Sequence, residues 1–332
     1  MRVSRGDYIQ ALDFFNAAAA QGWGPNSAYD GFSDYWGDAA YLAERVLTID
    51  ELRDYLNHKL PSGSDSSAAG RSEFFRLRGV LARRLMRAGR RPAAIRYFDD
   101  PRVRSKAEQY NIALNKANSW WHLPPTRAES WFRAATLARQ NGMELLGFEK
   151  EPDFAIWNGE LDWADYYRPP VVPSDLQRSE NVYTSEDERK RVAASKPERD
   201  VRFQYRLTAV DHAMKSADFL PARSQAFAAV LCDATRWIID RQPERAGQVY
   251  QRYLHQGAHV AWGGNFGRTC PQPDFPAASS WSVASRRASH LARHARTHPV
   301  YAALSAALVV AILTLLVYAR ARRAVTFSRR RI

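Results

Sequence analysis

Apolar residues recur at intervals of three and four along most of this chain, and few stretches alternate as a half-buried strand would. That spacing gathers apolar side chains on one face of a helix, so the pattern predicts an all-α fold. The period breaks at clusters of turn residues: Gly22-Trp23-Gly24-Pro25, Pro61-Ser62-Gly63-Ser64-Asp65, Gly89 to Pro92, Pro124-Pro125, Pro169 to Pro173 and Gln242-Pro243. These breaks divide the chain into a helical segment over 1–60, helical repeats over 61–168 and a linker or irregular helix over 169–200. A further helical segment covers 201–258, followed by a flexible basic stretch at 259–298, an apolar stretch at 299–318 and a basic tail at 319–332.

Within the helical pattern one spacing returns. An alanine is followed four positions later by a ring: Ala94 and Phe98, Ala128 and Phe132, Ala246 and Tyr250, and Ala11 and Phe15 with Ala18 beyond. A small residue lets two helices cross closely, and a ring one turn later fills the groove beside the crossing. From Ala94 to Ala128 is 34 residues, the period of the tetratricopeptide repeat. The expected architecture is therefore a tetratricopeptide-like solenoid of helical hairpins.

The stretch LARRLMRAGRRPAAIRYF, from Leu81 to Phe98, tests that reading. A phosphate-gripping loop needs a preceding strand and a GKS or GKT signature, and neither is present. Gly89 is expected to close a turn between two helices. In the repeat register Arg76, Arg83 and Arg87 then line a concave surface, where they would attract an acidic peptide segment.

Pro299 to Tyr318 reads PVYAALSAALVVAILTLLVY and carries no charge. At about 1.5 Å per residue it spans roughly 30 Å, the thickness of a hydrocarbon core. Arginines bracket it on both sides, which a buried core helix would not require. The sequence therefore predicts one C-terminal transmembrane helix. Six arginines follow the segment (Arg320, Arg322, Arg323, Arg329, Arg330 and Arg331) and four closely precede it (Arg286, Arg287, Arg293 and Arg296). The positive-inside rule favours a cytoplasmic tail and a body outside the cytoplasm. Asp7, Asp13 and Asn16, however, interrupt residues 1 to 25 where an export signal would be uniformly apolar, and that favours a cytoplasmic body. A longer N-terminus would reconcile the two.

Charge narrows the partners. Of 332 residues, 48 are basic and 35 acidic, a net charge of +13. Ten of the arginines lie between Arg286 and Arg331, so the rest of the chain is nearly balanced. A nucleic-acid binder would carry its surplus on the folded body, and nucleic acid is not expected as a partner. The basic stretch before the apolar segment, with His290, His294 and His298 at intervals of four, reads as a helix lying on anionic headgroups.

Other candidate chemistry is thin. Cys232 and Cys270 allow one disulfide but no zinc framework, and they leave the redox compartment open. His255 and His259 stand four apart near Cys270, but Gly257 intervenes and no HExxH glutamate accompanies them, so they read as histidines at a helix end rather than as metal ligands. HVAWGGNFGRT holds Gly263, Gly264 and Gly267 without nucleotide-loop spacing and reads as a flexible loop. WNGELDWADYY sets Glu160, Asp162 and Asp165 among Trp157, Trp163, Tyr166 and Tyr167. Paired carboxylates in such a setting serve glycosidases, and this loop is the one basis for an enzymatic alternative acting on carbohydrate. No cofactor and no metal are expected.

Four runs carry a resemblance: DAAYLAERVLTIDELRDYL, ARRLMRAGRRPAAIRYF, RAESWFRAATLARQNGMELLG and CDATRWIIDRQPERAGQVYQRYL. Together they resemble segments of large, uncharacterised bacterial envelope proteins built from tetratricopeptide-like helical repeats, over roughly residues 38 to 255. The resemblance implies a helical-repeat fold and an envelope location, and no activity. The function expected is a single-pass scaffold of the bacterial inner membrane that binds other proteins or acidic peptides.

Overall fold

A computed structural model of the chain describes residues 6–21, 34–58, 68–155, 159 and 184–279. The chain divides into two compact units, Met1–Phe275 and Pro276–Ile332. All regular structure among the described residues is helical. None of those helices is long and apolar enough to cross a membrane, and the apolar stretch 299–318 lies outside the described residues.

The helices begin where local chemistry favours a start. Pro92, Pro101, Pro124 and Pro243 stand in the first turns of α5 (Arg91–Ile95), α6 (Pro101–Asn118), α7 (Pro124–Leu146) and α11 (Pro243–Gln256). A proline has no N–H to leave unbonded there, and its fixed φ suits the helix. Elsewhere a side chain caps the orphan donors. Asp100 accepts from the Arg102 N–H at 2.7 Å. Ser185 accepts from Glu188 at the head of α8 (Glu186–Ala194), and Ser224 from Phe227 at the head of α10 (Gln225–Ile238). Gly89, at φ +74°, ends α4 (Ala68–Arg87). There its N–H bonds to Met86 O and the Arg90 N–H to Leu85 O, the left-handed closure that glycine adopts without strain.

In the first unit α6 packs on α7, α7 on α9 (Gln204–Asp218), α9 on α10 and α10 on α11. α1 (Tyr8–Gln21), α2 (Asp34–Tyr41) with its π-helical extension Leu42–Val46, and α3 (Ile49–His58) gather around α4, which meets α7. Every residue of α10 from Ala226 to Thr235 is buried, and all but Asp233 and Thr235 are apolar.

The recurring alanines all lie inside: Ala94 and Ala128 are 0% exposed and Ala11 and Ala246 2%. Phe98 is buried too, while Phe15, Phe132, Tyr250 and Ala18 are half-buried. The 34-residue register does not join like elements, however. Ala94 sits on the five-residue α5 with Phe98 beyond its end, whereas Ala128 and Phe132 sit on a helix of 23 residues. The rise of the chain between Gly89 and Pro101 is too broken to form the long second helix that the repeat requires.

The described parts of 169–200 and 259–298 are tied to the helices around them. Within 169–200, α8 docks on the π-helical segment and the neighbouring ends of α2 and α3: Tyr41 donates to Glu188 at 2.9 Å, Arg191 to Glu51 at 2.8 Å, and Ser195 Oγ to the Arg45 carbonyl at 2.7 Å. Beyond α11, a disulfide joins Cys232 to Cys270 with Cα atoms 5.7 Å apart. Phe266 stacks on Tyr253 at 4.4 Å, and Gly263–Asn265 forms a 3-10 turn, so the glycine-rich loop is pinned to α10 and α11.

Candidate functional site

The loop that follows α7, Gly147 to Ala155, gathers several buried charges of the first unit. Glu44, on the π-helical segment, accepts from Arg87, and its other oxygen accepts from the Glu149 N–H at 3.0 Å. Arg83 donates to Glu149. Arg87 also donates to the Gly147 carbonyl at 2.7 Å and lies 3.8 Å over the Phe148 ring. Asp153, fully buried, accepts from Phe148 and Phe203 N–H groups at 3.1 and 2.6 Å. Burial drives these groups toward neutrality: it raises Glu149 and Asp153 and lowers Arg87 to about 10, with Glu44 opposing the last shift.

This placement decides the role of the arginines singled out on sequence grounds. The Arg83 and Arg87 side chains are only 13% and 15% exposed, and their guanidiniums are committed to Glu149 and Glu44. They brace the protein from within and do not offer open cations to a peptide. Arg76 stacks over Trp36 at 5.3 Å.

Two further concave surfaces stand out among the described residues. The larger, of about 700 Å³, lies between the Gly89 turn, α6, α9 and the chain after α8. Its arginines are largely answered: Arg84 donates to the Leu47 carbonyl at 2.7 Å, Arg91 to Asn111 at 3.3 Å, and Arg199 reaches Asp211. At its floor His212 Nε2 meets Tyr110 Oη at 2.8 Å. Burial, aided by Lys215 and Arg91, lowers the imidazole pKa to about 4.

The second is a groove of about 380 Å³ between α7 and α10. Phe132 and Trp237 form one wall, with centroids 6.1 Å apart and planes at 19°. Thr136, Arg139, Gln140, Asp233, Arg236 and Gln272 supply its polar atoms. Arg236 donates to Asp233 at 2.5 Å. Arg139 is half-buried and has no carboxylate partner among the described residues. Its pKa is lowered by burial and by the neighbouring charges of Arg206 and Arg236. Beside the groove Arg202, Arg206 and Arg241 crowd the Phe203 ring at 4.6, 4.5 and 4.6 Å. A partly desolvated guanidinium facing like charges is stabilised by any carboxylate that reaches it. An acidic group flanked by an apolar side chain suits this groove better than the neutralised cleft.

Among the described residues, the other sequence candidates are not assembled into a site. Cys270 is in the disulfide, and among the described residues no group of three or more histidine, cysteine or acidic side chains is placed to hold a metal ion. Trp157, Glu160, Asp162, Trp163, Asp165, Tyr166 and Tyr167 lie outside the described residues, as do His290, His294, His298 and the flanking arginines. Arg139 and Arg206 had no motif to announce them: in ARQNG and FQYRL they look like ordinary solvated helix positions. Compared with family models, curated proteins and solved structures, the chain matches none.

Proposed function

We propose that this chain is a membrane-anchored helical-repeat scaffold whose first unit binds acidic peptide segments of other proteins in the α7–α10 groove. The observation that carries the proposal is Arg139, a half-buried cation without a carboxylate partner among the described residues, beside the Phe132–Trp237 wall. The serial packing from α6 to α11 supports an extended array of helices, the architecture that presents such grooves. Anchoring rests on the uncharged stretch Pro299 to Tyr318, and a bacterial inner-membrane location on the resemblance to envelope proteins. The Cys232–Cys270 disulfide and the six arginines after the apolar stretch both favour a body on the oxidising side of that membrane.

Fluorescence anisotropy of the full chain with a labelled octaglutamate tests the groove. Saturable binding is expected, weakened by salt and at least tenfold by Arg139→Glu or Arg236→Glu. Lys190→Glu, on the exposed side of α8, is expected to leave it nearly unchanged. Absence of binding, or equal loss in all three variants, would overturn the proposal.

A further inference from the structure

Among the described residues of the first unit, the turn between α6 and α7 projects the largest and most exposed apolar side chains. Trp120, Trp121 and Leu123 are 81%, 69% and 71% exposed, and Ile112, two turns back on α6, is 63% exposed. The turn is firmly built. The Ser119 N–H closes on Lys116 O at 3.3 Å and His122 N–H on Ser119 O at 3.4 Å, while Arg127 Nε ties the start of α7 to the Ala117 carbonyl at 2.9 Å. The two indoles meet edge to face at 5.8 Å. From Gln109 to Ala128 the sequence has Lys116, His122 and Arg127 and no acidic residue.

Two exposed tryptophans beside a leucine are costly in water, so a partner for them is expected. A protein partner fits poorly. A stable protein interface buries about 800 Å² on each side, more than one turn and four side chains present. A bilayer interface has no such minimum. It accepts a small protruding tip, holds indoles at the headgroup level, and attracts lysine and arginine when its lipids are anionic. We infer that the α6–α7 turn is a second membrane contact, in which Trp120, Trp121 and Leu123 enter the headgroup region of an anionic bilayer. The contact is separate from residues 299–318, but it rests on the reading that the chain works at a membrane.

The test uses the full chain with vesicles of phosphatidylcholine and phosphatidylglycerol whose acyl chains are brominated near the headgroup. The emission of Trp120→Phe/Trp121→Phe is subtracted from that of the wild type. Both substitutions are at exposed positions, and circular dichroism verifies the fold. The difference emission is expected to be blue-shifted, quenched by the brominated lipid, protected from aqueous iodide, and less quenched when phosphatidylglycerol is omitted. Iodide-quenched, red-shifted emission would place the indoles in water and overturn the inference. Blue-shifted emission untouched by bromine would place them against protein and overturn it equally. Co-flotation of the wild type with vesicles reports on the anchor separately. Should the chain not float, the same difference emission on adding vesicles to it in solution still decides for or against the turn.

Discussion

Tyr205 lies directly on Gly142: a β-carbon at Gly142 would stand 2.2 Å from Tyr205 Cδ2. The bare glycine lets α9 close on α7 just where α7 bends, at the non-helical Asn141. At the other end of the same contact Ser216 Oγ donates to the Ala128 carbonyl at 2.7 Å, so a small residue admits the partner helix at both ends.

Gly142→Ala should therefore lower stability by roughly 2–3 kcal/mol, because a ring and not a flexible tip must yield. It should also weaken octaglutamate binding, since Arg206 follows Tyr205 in the chain. Gly247→Ala is the control. That glycine is exposed in α11 with nothing within 4 Å of an added β-carbon, and alanine there should stabilise by about 0.5–1 kcal/mol. Urea unfolding of both variants checks the pair of signs, and a neutral Gly142→Ala would mean that the close approach is not required.

Glu44 holds two groups at once, Arg87 and the Glu149 N–H. Glu44→Ala leaves a buried guanidinium without its carboxylate and should cost about 3–5 kcal/mol. Replacing both partners, as Glu44→Leu with Arg87→Met, should cost much less than the two single changes together, because no charge is then stranded. Unfolding midpoints at unchanged slope are the measurement. Additive costs would show that the two side chains do not depend on each other.

The helical period was legible because long amphipathic helices repeat their signal many times, as in α4, α7 and α11. Proline and serine at helix starts and Gly89 at a turn were legible because their local chemistry is nearly independent of context. The charged clamp was not. Glu44, Arg87 and Glu149 are brought together across 43 and 105 residues of chain by the packing of α4, α7 and the π-helical segment. No local pattern distinguishes an arginine turned inward from one turned to water. The same limit hid Arg139, whose character comes from its burial and from Arg206 and Arg236 on two other helices. The Ala-to-ring spacing identified buried alanines but not equivalent elements, because four residues of spacing cannot distinguish the single turn at Ala94 from the long helix at Ala128.

The disulfide closes a stretch of 38 residues between Cys232 and Cys270. On loop-closure entropy its loss should cost roughly 4 kcal/mol. A Cys232→Ala/Cys270→Ala chain should unfold at lower urea than the wild type, and dithiothreitol should lower the wild type to the same midpoint while leaving the variant unmoved. In cells precipitated with acid and redissolved in denaturant, both thiols should resist maleimide-polyethylene glycol until a reductant is added, as a body in an oxidising compartment requires. Rapid labelling without reductant would move the body to the reducing side.

His212 makes stability depend on pH in a direction that can be worked out. Burial holds the imidazole near 4 against an ordinary 6.5, and the charges of Lys215 and Arg91 push the same way while Asp211 opposes them. The folded state thus prefers neutral His212, and the unfolded state binds the proton first as pH falls. The contribution is present above about 6.5 and is lost progressively as pH falls through about 4. Over that window the loss from this residue should be on the order of 2–3 kcal/mol. His212→Gln still offers the Tyr110 hydroxyl a hydrogen-bonding partner and cannot titrate, so the difference between its urea midpoint and that of the wild type should shrink or reverse on going from pH 7 to pH 4. Carboxylates raised by burial, Glu149 and Asp153 among them, titrate in both proteins and cancel in the comparison. Parallel curves across the window would mean that the imidazole is as well solvated in the fold as in the unfolded chain, and that the Tyr110 contact does not enclose it.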